Sequence, residues 1–599
     1  MQFPYGISNF QKIITSGSFY VDRTDRIPLL ERGEYQLFIR PRRFGKSLLL
    51  STLYSYYDLA SAHLFDELFG RLTIGQNPTP LRNRYFMLQL DFSCVDPTGT
   101  VDQIRRALHN HVNIRIDSFL KYYQEYTVQG VNIYPDDALS SLESVASSVL
   151  ATGHPLFLLI DEYDAPVVAN FANEVMMSAQ RDSQRRYEAL VFEEGPLRTL
   201  FKAMKSMAGQ GLIDRIFITG VSPVVMSDIT SGFNIAKNIY LHPNYHDLCG
   251  FTHAEIESAL RSVVAENSLD ASISTTAMTM LRDWYNGYRF VPESRELIYN
   301  PTLALYFLDH LSELGVFPSA MLDDNLATDR AKLEYMAQLA GGGQMLLDIM
   351  IEGAQVQVER LASRFGMRDM LRDQSKNNTF MASLLYYFGV LSLEGQTPEG
   401  ELLLRVPNLV MRKLYVEQIA EMLLPDPMLR DKGKDAAKHL HQKGDMAPLC
   451  AYVEEKYFKV FHTTDYRWAN ELSVKTAFLT LLYNDTLYVM DSEPELERRR
   501  ADLTMIIRPD ARRFTILDIL IKFKFVTLKD SGFSGEQALA LSVEELRSNR
   551  LMAQAMTEAR EQVAKNMAIL NRRYGNLRLR GYAVVSLGFE RIWWEEVTV

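Results

Sequence analysis

The sequence predicts an α/β protein: a doubly wound parallel sheet built around a phosphate-binding loop, then a helical region, then a second, smaller α/β domain. Three apolar runs carry this reading. Tyr35-Gln-Leu-Phe-Ile39 leads straight into a basic, glycine-containing loop and a helical stretch from Leu48 to Leu59. Pro155-Leu-Phe-Leu-Leu-Ile160 is apolar without alternation, as in a strand buried on both faces of a parallel sheet. Arg215-Ile-Phe-Ile-Thr-Gly220 is a third strand, and Tyr85 to Asp91 a further candidate. Strands that alternate with helices form a parallel sheet, and such sheets hold ligands at the carboxyl ends of their strands.

The 599 residues exceed what one hydrophobic core supports. The expected division is 1–244, 245–430 and 431–599, with Leu423-Leu-Pro-Asp-Pro-Met-Leu-Arg-Asp431 as the best linker. A hydrophobic share of 47% and a charged share of 23% exclude disorder or coiled coil for the bulk of the chain. The net charge of −10 excludes a basic coat for nucleic acid but leaves room for a local basic groove. Cys94, Cys249 and Cys450 are too far apart for a disulfide framework or a zinc finger, which fits a reducing compartment. No run approaches the ~18 apolar residues that cross a bilayer. The start, Met-Gln-Phe-Pro-Tyr-Gly, lacks the parts of a signal peptide, so a cytoplasmic protein with no membrane partner is expected.

The loop Arg40-Pro-Arg-Arg-Phe-Gly-Lys-Ser47 stands between a strand and a helix, the context a phosphate-binding loop requires. Its backbone N–H groups and the helix N-terminus would cradle phosphates. Lys46 would reach the β- and γ-phosphates, Ser47 would hold Mg²⁺, and Arg42, Arg43, Phe44 and Gly45 would line the cofactor. Arg40 occupies the place of the motif's first glycine, so a basic turn before a helix is the competing reading. The second strand ends in Asp161-Glu162-Tyr163-Asp164. Asp161 is placed to orient the Mg²⁺ shell, and Glu162 to polarise the attacking water as a general base. Thr219 or Ser222, after the third strand, would touch the γ-phosphate or that water.

On these residues the chain resembles the AAA-ATPase-like family whose members carry a C-terminal PD-(D/E)XK nuclease-like domain. The matching pieces are Pro4-Tyr-Gly-Ile-Ser-Asn-Phe10, Tyr20-Val-Asp-Arg-Thr24, Arg40 to Ser47, Leu159 to Asp164, Thr219-Gly-Val-Ser222, Trp284 to Phe290 and Tyr299-Asn-Pro301. Arg40 in place of the first glycine is that family's own habit. The resemblance implies ATP binding at Lys46, Ser47, Asp161 and Glu162, and places Tyr20 to Thr24 near the nucleotide base.

The region 245–430 reads as a helical lid. The aromatic run Asp283 to Tyr288, with its Asn286-Gly287 turn, is expected to fasten the lid to the core; nucleotide sensing or partner contact is the alternative. Arg282 and Arg289 are candidate trans-acting arginines. A helix from Phe380 to Tyr387, followed by a hairpin of Val390–Glu394 and Glu401–Val406, has the order of a winged-helix module. The hairpin tip carries Glu394, Glu399 and Glu401 and no base, so a structural lid is expected there rather than phosphate contact.

The last 160 or so residues read as helix from Glu471, strand at Leu487–Met490, strand from Asp502, central strand Arg513–Val526, helices Gly535–Arg547 and Leu551–Tyr574, and strand Arg578–Leu587. This is the core order of PD-(D/E)XK, or restriction-endonuclease-like, enzymes, which cleave phosphodiesters with metal ions held by carboxylates. The resemblance assigns Asp502 as the first metal carboxylate, Lys524 as the lysine, Glu471 as the helix acid and Gln562 as the later glutamine. Lys522 stands where the second metal-binding carboxylate belongs. A lysine repels Mg²⁺, so cleavage is expected to be disabled. Asp518 lies on the same strand face but roughly 13 Å away. From Arg498 to Lys524 there are eight basic and three acidic residues, a local excess of +5. The expected function is that of an ATP- and Mg²⁺-dependent homo-oligomer acting on nucleic acid, DNA first. The rival is a nucleotide-dependent switch or scaffold that uses the nuclease fold for binding only.

Overall fold

The computed structural model describes the chain except residues 97, 99, 127, 166–194, 224–232, 323–332, 335, 338–340, 352–354, 363–377, 464–470, 492–494, 497–498, 501–502 and 599. The described chain divides into two compact units. One comprises Met1–Val316 and Val356–Asn408, the other Phe317–Gln355 and Leu409–Val599. The stretch 245–430, read from the sequence as one lid, is thus shared between them.

The first unit is organised by five strands: β1 (Tyr35–Ile39), β2 (Phe86–Asp91), β3 (Leu156–Asp161), β4 (Arg215–Gly220) and β5 (Lys237–Asn238). All pair in parallel, in the order β2-β3-β4-β1-β5. Every residue of β3 is buried, as its unbroken apolar run requires. The chain leaves β1 for the far edge, returns through β3 and β4, and then passes beyond β1 to β5. The direction of travel reverses at β1, which places a crevice at its carboxyl end. The helix Lys46–Tyr57 begins there, with Gly45 left-handed at its N-cap (φ 93°).

The aromatic helix Ala271–Tyr285 and the helix Pro301–Leu314 belong to the same unit. Between them Gly287 takes φ 104°, and a Cβ there would collide with the Pro407 carbonyl, so the Asn-Gly turn is a requirement of packing. The helix Asn378–Tyr387 precedes the expected hairpin, β7 (Ser392–Gln396) and β8 (Leu402–Arg405), and β6 (Val356–Val358) adds a third antiparallel strand on β8.

In the second unit the helix Glu471–Leu482 leads into β9 (Tyr488–Asp491), a two-stranded ribbon of β10 (Glu495–Leu496) and β11 (Arg499–Arg500), then β12 (Leu503–Ile507) and β13 (Asp518–Val526). β14 (Leu579–Leu587) and β15 (Arg591–Val597) complete a sheet ordered β15-β14-β13-β12-β9. β13 and β14 are parallel, which demands a long crossover. The 25-residue helix Arg550–Tyr574 supplies it and buries Met552, Met556, Ala559, Val563 and Met567 against Leu520, Ala583 and Val585. That spacing of four, three, four and four is one helical face.

Two expectations are corrected. The helix expected over Gly535–Arg547 is two short helices, Gly535–Ala540 and Val543–Ser548, because Ser534 with Gln537 and Ser542 with Glu545 each form a capping box and start a helix anew. The central strand begins at Asp518 instead of Arg513, because Pro509–Ala511 forms a 3₁₀ turn held by the Arg508–Asp510 ion pair.

His441, on the helix Pro427–Lys443, is buried beside Tyr488 (ring centroids 5.2 Å), and burial holds its imidazole down to about 4. The unfolded chain takes up this proton near pH 6.5, the folded unit only near 4. The stabilisation is therefore complete above the upper value and lost as pH falls toward the lower, about 3 kcal/mol at 1.36 kcal/mol per pKa unit. We predict that denaturant unfolding at pH 7.5 and 4.5 differs less in His441→Leu than in the wild type, and an equal difference in both would refute this assignment.

Candidate functional site

The loop after β1 is shaped by positive φ at Arg43 (67°) and Gly45 (93°), not at residue 40. Position 40 needs no glycine because its side chain is an anchor. Arg40 is 2% exposed. One guanidinium nitrogen donates to the carbonyls of Ile39 (2.8 Å) and Tyr240 (2.9 Å), the other to Tyr245 (2.8 Å) and His246 (3.4 Å). The cation lies 4.0 Å from the ring centre of Phe290 and 4.6 Å from that of Phe38. Burial draws its pKa down to about 10. Phe44 is buried edge-on against Tyr288 (4.9 Å) and Phe290 (5.3 Å), and the Arg43 carbonyl accepts from the Thr302 hydroxyl at 2.9 Å. The aromatic run therefore floors the loop. Arg42 is partly exposed.

Lys46 is buried at the start of its helix. Its ammonium donates to the carbonyls of Arg40 (3.1 Å) and Pro41 (3.3 Å) and lies 3.3 Å from Glu162 Oε1. The Ser47 hydroxyl donates to Asp161 Oδ2 at 2.7 Å, and the Thr219 hydroxyl donates to Asp161 Oδ1. Burial raises the pKa of Asp161, and these two hydroxyls oppose the rise. Glu162 itself is left-handed, φ 47°. Sequence reasoning named Thr219 and Ser222 together, but the structure gives them different partners. Ser222 is fully buried, and its amide (2.8 Å) and hydroxyl (3.2 Å) donate to Asp164.

Ser47 and Asp161 offer one hydroxyl and one carboxylate. That donor set suits Mg²⁺, which takes one or two protein oxygens and completes its shell with phosphate and water. Among the described residues no group of three or more His, Cys, Asp or Glu forms an all-protein metal cage.

A cavity of about 360 Å³ runs off the loop from Gly45, Lys46 and Ser47. Its walls include Ile7, Tyr20, Thr24, Cys249, Phe251 and Leu305. Arg23 braces one wall, donating to the Asp247 (2.7 Å) and Gly250 (3.3 Å) carbonyls and pairing with Glu255. The Cys249 thiol is buried, and burial pushes it up to about 11. Tyr20 to Thr24 were singled out in the sequence. Ile7 stands in the matching piece Pro4 to Phe10 but carried no site assignment, and Cys249, Phe251 and Leu305 carried none either, because apolar residues so scattered carry no local signal.

In the second unit Lys522 Nζ lies 3.6 Å from Glu471 Oε1. Lys524 Nζ lies 3.7 Å from Glu558, one helical turn before Gln562 on the helix Arg550–Tyr574. Asp502 and Arg498 lie outside the described residues. Asp518 is fully buried and accepts from Arg512 (2.6 and 2.8 Å) and from the amides of Ile507 and Arg578 (2.8 Å each), so it is a structural acid. Of the local +5 excess, Lys522 and Lys524 meet carboxylates from outside the counted stretch, Glu471 and Glu558, while Arg513 is exposed. Arg508, Arg512, Lys522 and Lys524 each face a carboxylate. The two candidate trans-acting arginines are also engaged: Arg289 donates to the Glu394 carbonyl, and Arg282 to Asp283 at 3.0 Å. No described helix is long and apolar enough to cross a membrane.

Residues 4–230 match the model of a family described as Predicted AAA-ATPase. The N-terminal region is therefore an AAA-ATPase-like domain. Over 303 residues the chain is 26% identical to an uncharacterized protein in the vnfD 5′ region of Azotobacter chroococcum; the match spans 50% of this chain and about half the length of that relative. Among solved structures, a Walker-type ATPase of Pyrococcus abyssi aligns at 13% identity over 69% of this chain and 98% of its own, with a TM-score of 0.34. The ORC1 protein of Aeropyrum pernix, solved in complex with DNA, aligns at 12% over 67% and 95%, TM-score 0.27. The ORC2 protein of the same organism aligns at 12% over 69% and 93%, TM-score 0.28.

Arg40 yields a test of the loop's foundation. Arg40→Met keeps the bulk but leaves four buried carbonyls without their donor, each worth about 1–3 kcal/mol. We predict that chemical denaturation shows the first unit destabilised by at least 3 kcal/mol; a change below 1 kcal/mol would contradict the anchor.

Proposed function

We propose that the first unit binds ATP with Mg²⁺ and hydrolyses it, and that turnover drives an action on nucleic acid, DNA first, through the second unit. One observation carries the ATPase half. Lys46, Ser47, Asp161 and Glu162 converge where the carboxyl ends of β1 and β3 meet the mouth of the cavity. In this reading the cavity takes the nucleoside, and the loop amides and Lys46 take the β- and γ-phosphates. Ser47 and Asp161 hold Mg²⁺, which neutralises charge on the phosphate oxygens. Glu162 accepts a proton from the attacking water as its oxygen bonds to the γ-phosphorus. The bond from that phosphorus to the bridging oxygen breaks, and ADP leaves. Thr219 keeps Asp161 in place. We predict that Lys46→Ala loses Mg²⁺-ATP binding and turnover; a rate equal to wild type would end the assignment.

For the second unit the proposal is a PD-(D/E)XK-like nuclease domain over 431–599 with a disabled cleavage site. The order of its elements and the resemblance support it. The Lys522 ammonium beside Glu471 places a fixed cation where Mg²⁺ would need negative charge. Glu471, Asp502, Lys524 and Gln562 are the other members of that site. We predict that Lys522→Glu gains Mg²⁺-dependent DNA cleavage over the unmodified chain; robust cleavage by the chain as it stands, abolished by Asp502→Ala, would overturn the disabled reading. Assembly as a homo-oligomer, with ATP between subunits, belongs to this proposal on the resemblance alone.

A second reading has its own support. Because Lys522 and Lys524 face Glu471 and Glu558, the second unit presents less free positive charge beside β13 than the local count suggests. That favours a nucleotide-dependent switch or scaffold using the fold for binding. Stimulation of ATP turnover by DNA separates the two: the first reading expects it, the second does not.

A further inference from the structure

The acidic turn after β3 and the turn after β4 are joined by more bonds than the ATPase reading uses. Asp164 is 1% exposed and makes no ion pair among the described residues. Its carboxylate accepts from the Val221 amide (3.2 Å to each oxygen), the Ser222 amide (2.8 Å) and the Ser222 hydroxyl (3.2 Å). Tyr163 returns the connection, donating its amide to the Thr219 carbonyl (3.1 Å) and its hydroxyl to the Ser222 carbonyl. Asp161 accepts from Thr219. Gly220 allows this closeness, since a Cβ there would lie 2.7 Å from Asp164 Oδ1 and 2.5 Å from the Tyr163 ring.

Residues 161, 163 and 164 are thus each fastened to β4 or its turn. The residue between them, Glu162, is left-handed, with its carboxylate 3.3 Å from the Lys46 ammonium. A left-handed glutamate costs about 1 kcal/mol or more and persists only where its neighbours over-determine it. We propose that Asp164 is a positioning residue for Glu162: it clamps the turn after β3 to the turn after β4 and so holds Glu162 in the conformation that turnover needs. This rests on the ATPase reading of the same site, and it adds a residue that touches neither nucleotide nor metal. A buried, hydrogen-bonded acid at this place would otherwise serve stability alone. The difference is measurable, because a positioning residue acts through Glu162 and a purely structural one does not.

The experiment uses the full chain and compares wild type, Asp164→Asn, Glu162→Gln and the double variant. Steady-state ATP turnover and the affinity for a fluorescent ATP analogue with Mg²⁺ are measured for each. The amide of Asp164→Asn turns a donor or a single acceptor oxygen toward three donors, which loosens the clamp while keeping its size. Misplacement of a catalytic group by about 1 Å costs on the order of 100-fold. The expected result is therefore a fall in kcat of about 10- to 100-fold with analogue affinity unchanged, and no further fall when Asp164→Asn is added to Glu162→Gln. Should Asp164→Asn fail to fold, Tyr163→Phe, which removes one hydroxyl from the same clamp, is expected to show the same non-additivity with a smaller fall. A kcat within twofold of wild type, or an equal loss in both backgrounds, overturns the positioning role and leaves the ATPase reading standing. A wild-type chain that neither binds nor hydrolyses ATP overturns both.

Discussion

A guanidinium paired with no carboxylate among the described residues lies beneath the phosphate-binding loop. A buried cation left bare would cost several kcal/mol or more, and the fold is stable only if something replaces its water. Here four carbonyls and two aromatic faces do so. Three of those carbonyls belong to Tyr240, Tyr245 and His246, and one ring to Phe290. The cation therefore binds the end of β1 to the chain that follows β5 and to the aromatic run. The consequences spread outward. With Arg40 fixed, its own carbonyl and that of Pro41 are in place to receive Lys46, and the left-handed turns at Arg43 and Gly45 bring the chain round to the helix.

The two units each hold a lysine near a glutamate, with opposite consequences. Lys46 is buried and lies 3.3 Å from Glu162; its side chain is 3% exposed, so little water screens it, and a phosphate entering the cavity meets a nearly fixed charge. Lys522 lies 3.6 Å from a Glu471 side chain that is 40% exposed. That pair is screened and contributes little to stability. Its effect is one of sign: a carboxylate facing an ammonium is a poor ligand for a divalent cation. On the proposed reading the same pair of residue types would support a site in one place and cancel one in the other, and burial with the surrounding donors would decide which.

Much of the frame was legible before any coordinates. Composition alone marks β3 as buried on both faces, and the Gly45-Lys46-Ser47 step into a helix is a local event. The strand order was not legible, because an apolar run reports burial and not its neighbours. That β4 lies between β1 and β3, and so brings Thr219 to Asp161, follows only from the assembled sheet. Arg40 read as a missing glycine because its partners stand 200 and more positions away. The excess of base around β13 read as a groove because Glu471 and Glu558, which neutralise part of it, lie on helices outside the counted stretch. Ser542, by contrast, was readable: a serine three residues before Glu545 is a helix start, and a single helix from Gly535 to Arg547 overlooked it.

A sequence motif reads as a string of equal members, and the geometry divides it. In Arg40 to Ser47, Arg40 and Phe44 are foundations, Arg43 and Gly45 are bends, and Lys46 and Ser47 face the acids of β3. In Asp161 to Asp164, Asp161 and Glu162 face Ser47 and Lys46, whereas Tyr163 and Asp164 face away into the turn after β4. The anchors are the more buried members, and the physical reason is general. A group meant to meet a charged ligand must keep a path to it, while a group meant to hold backbone in place does so best where no water competes for its hydrogen bonds. In the turn after β3 burial therefore separates Glu162, which would do chemistry, from Tyr163 and Asp164, which hold it. The 1% exposure of Asp164 beside a partly exposed Glu162 is that division within two residues.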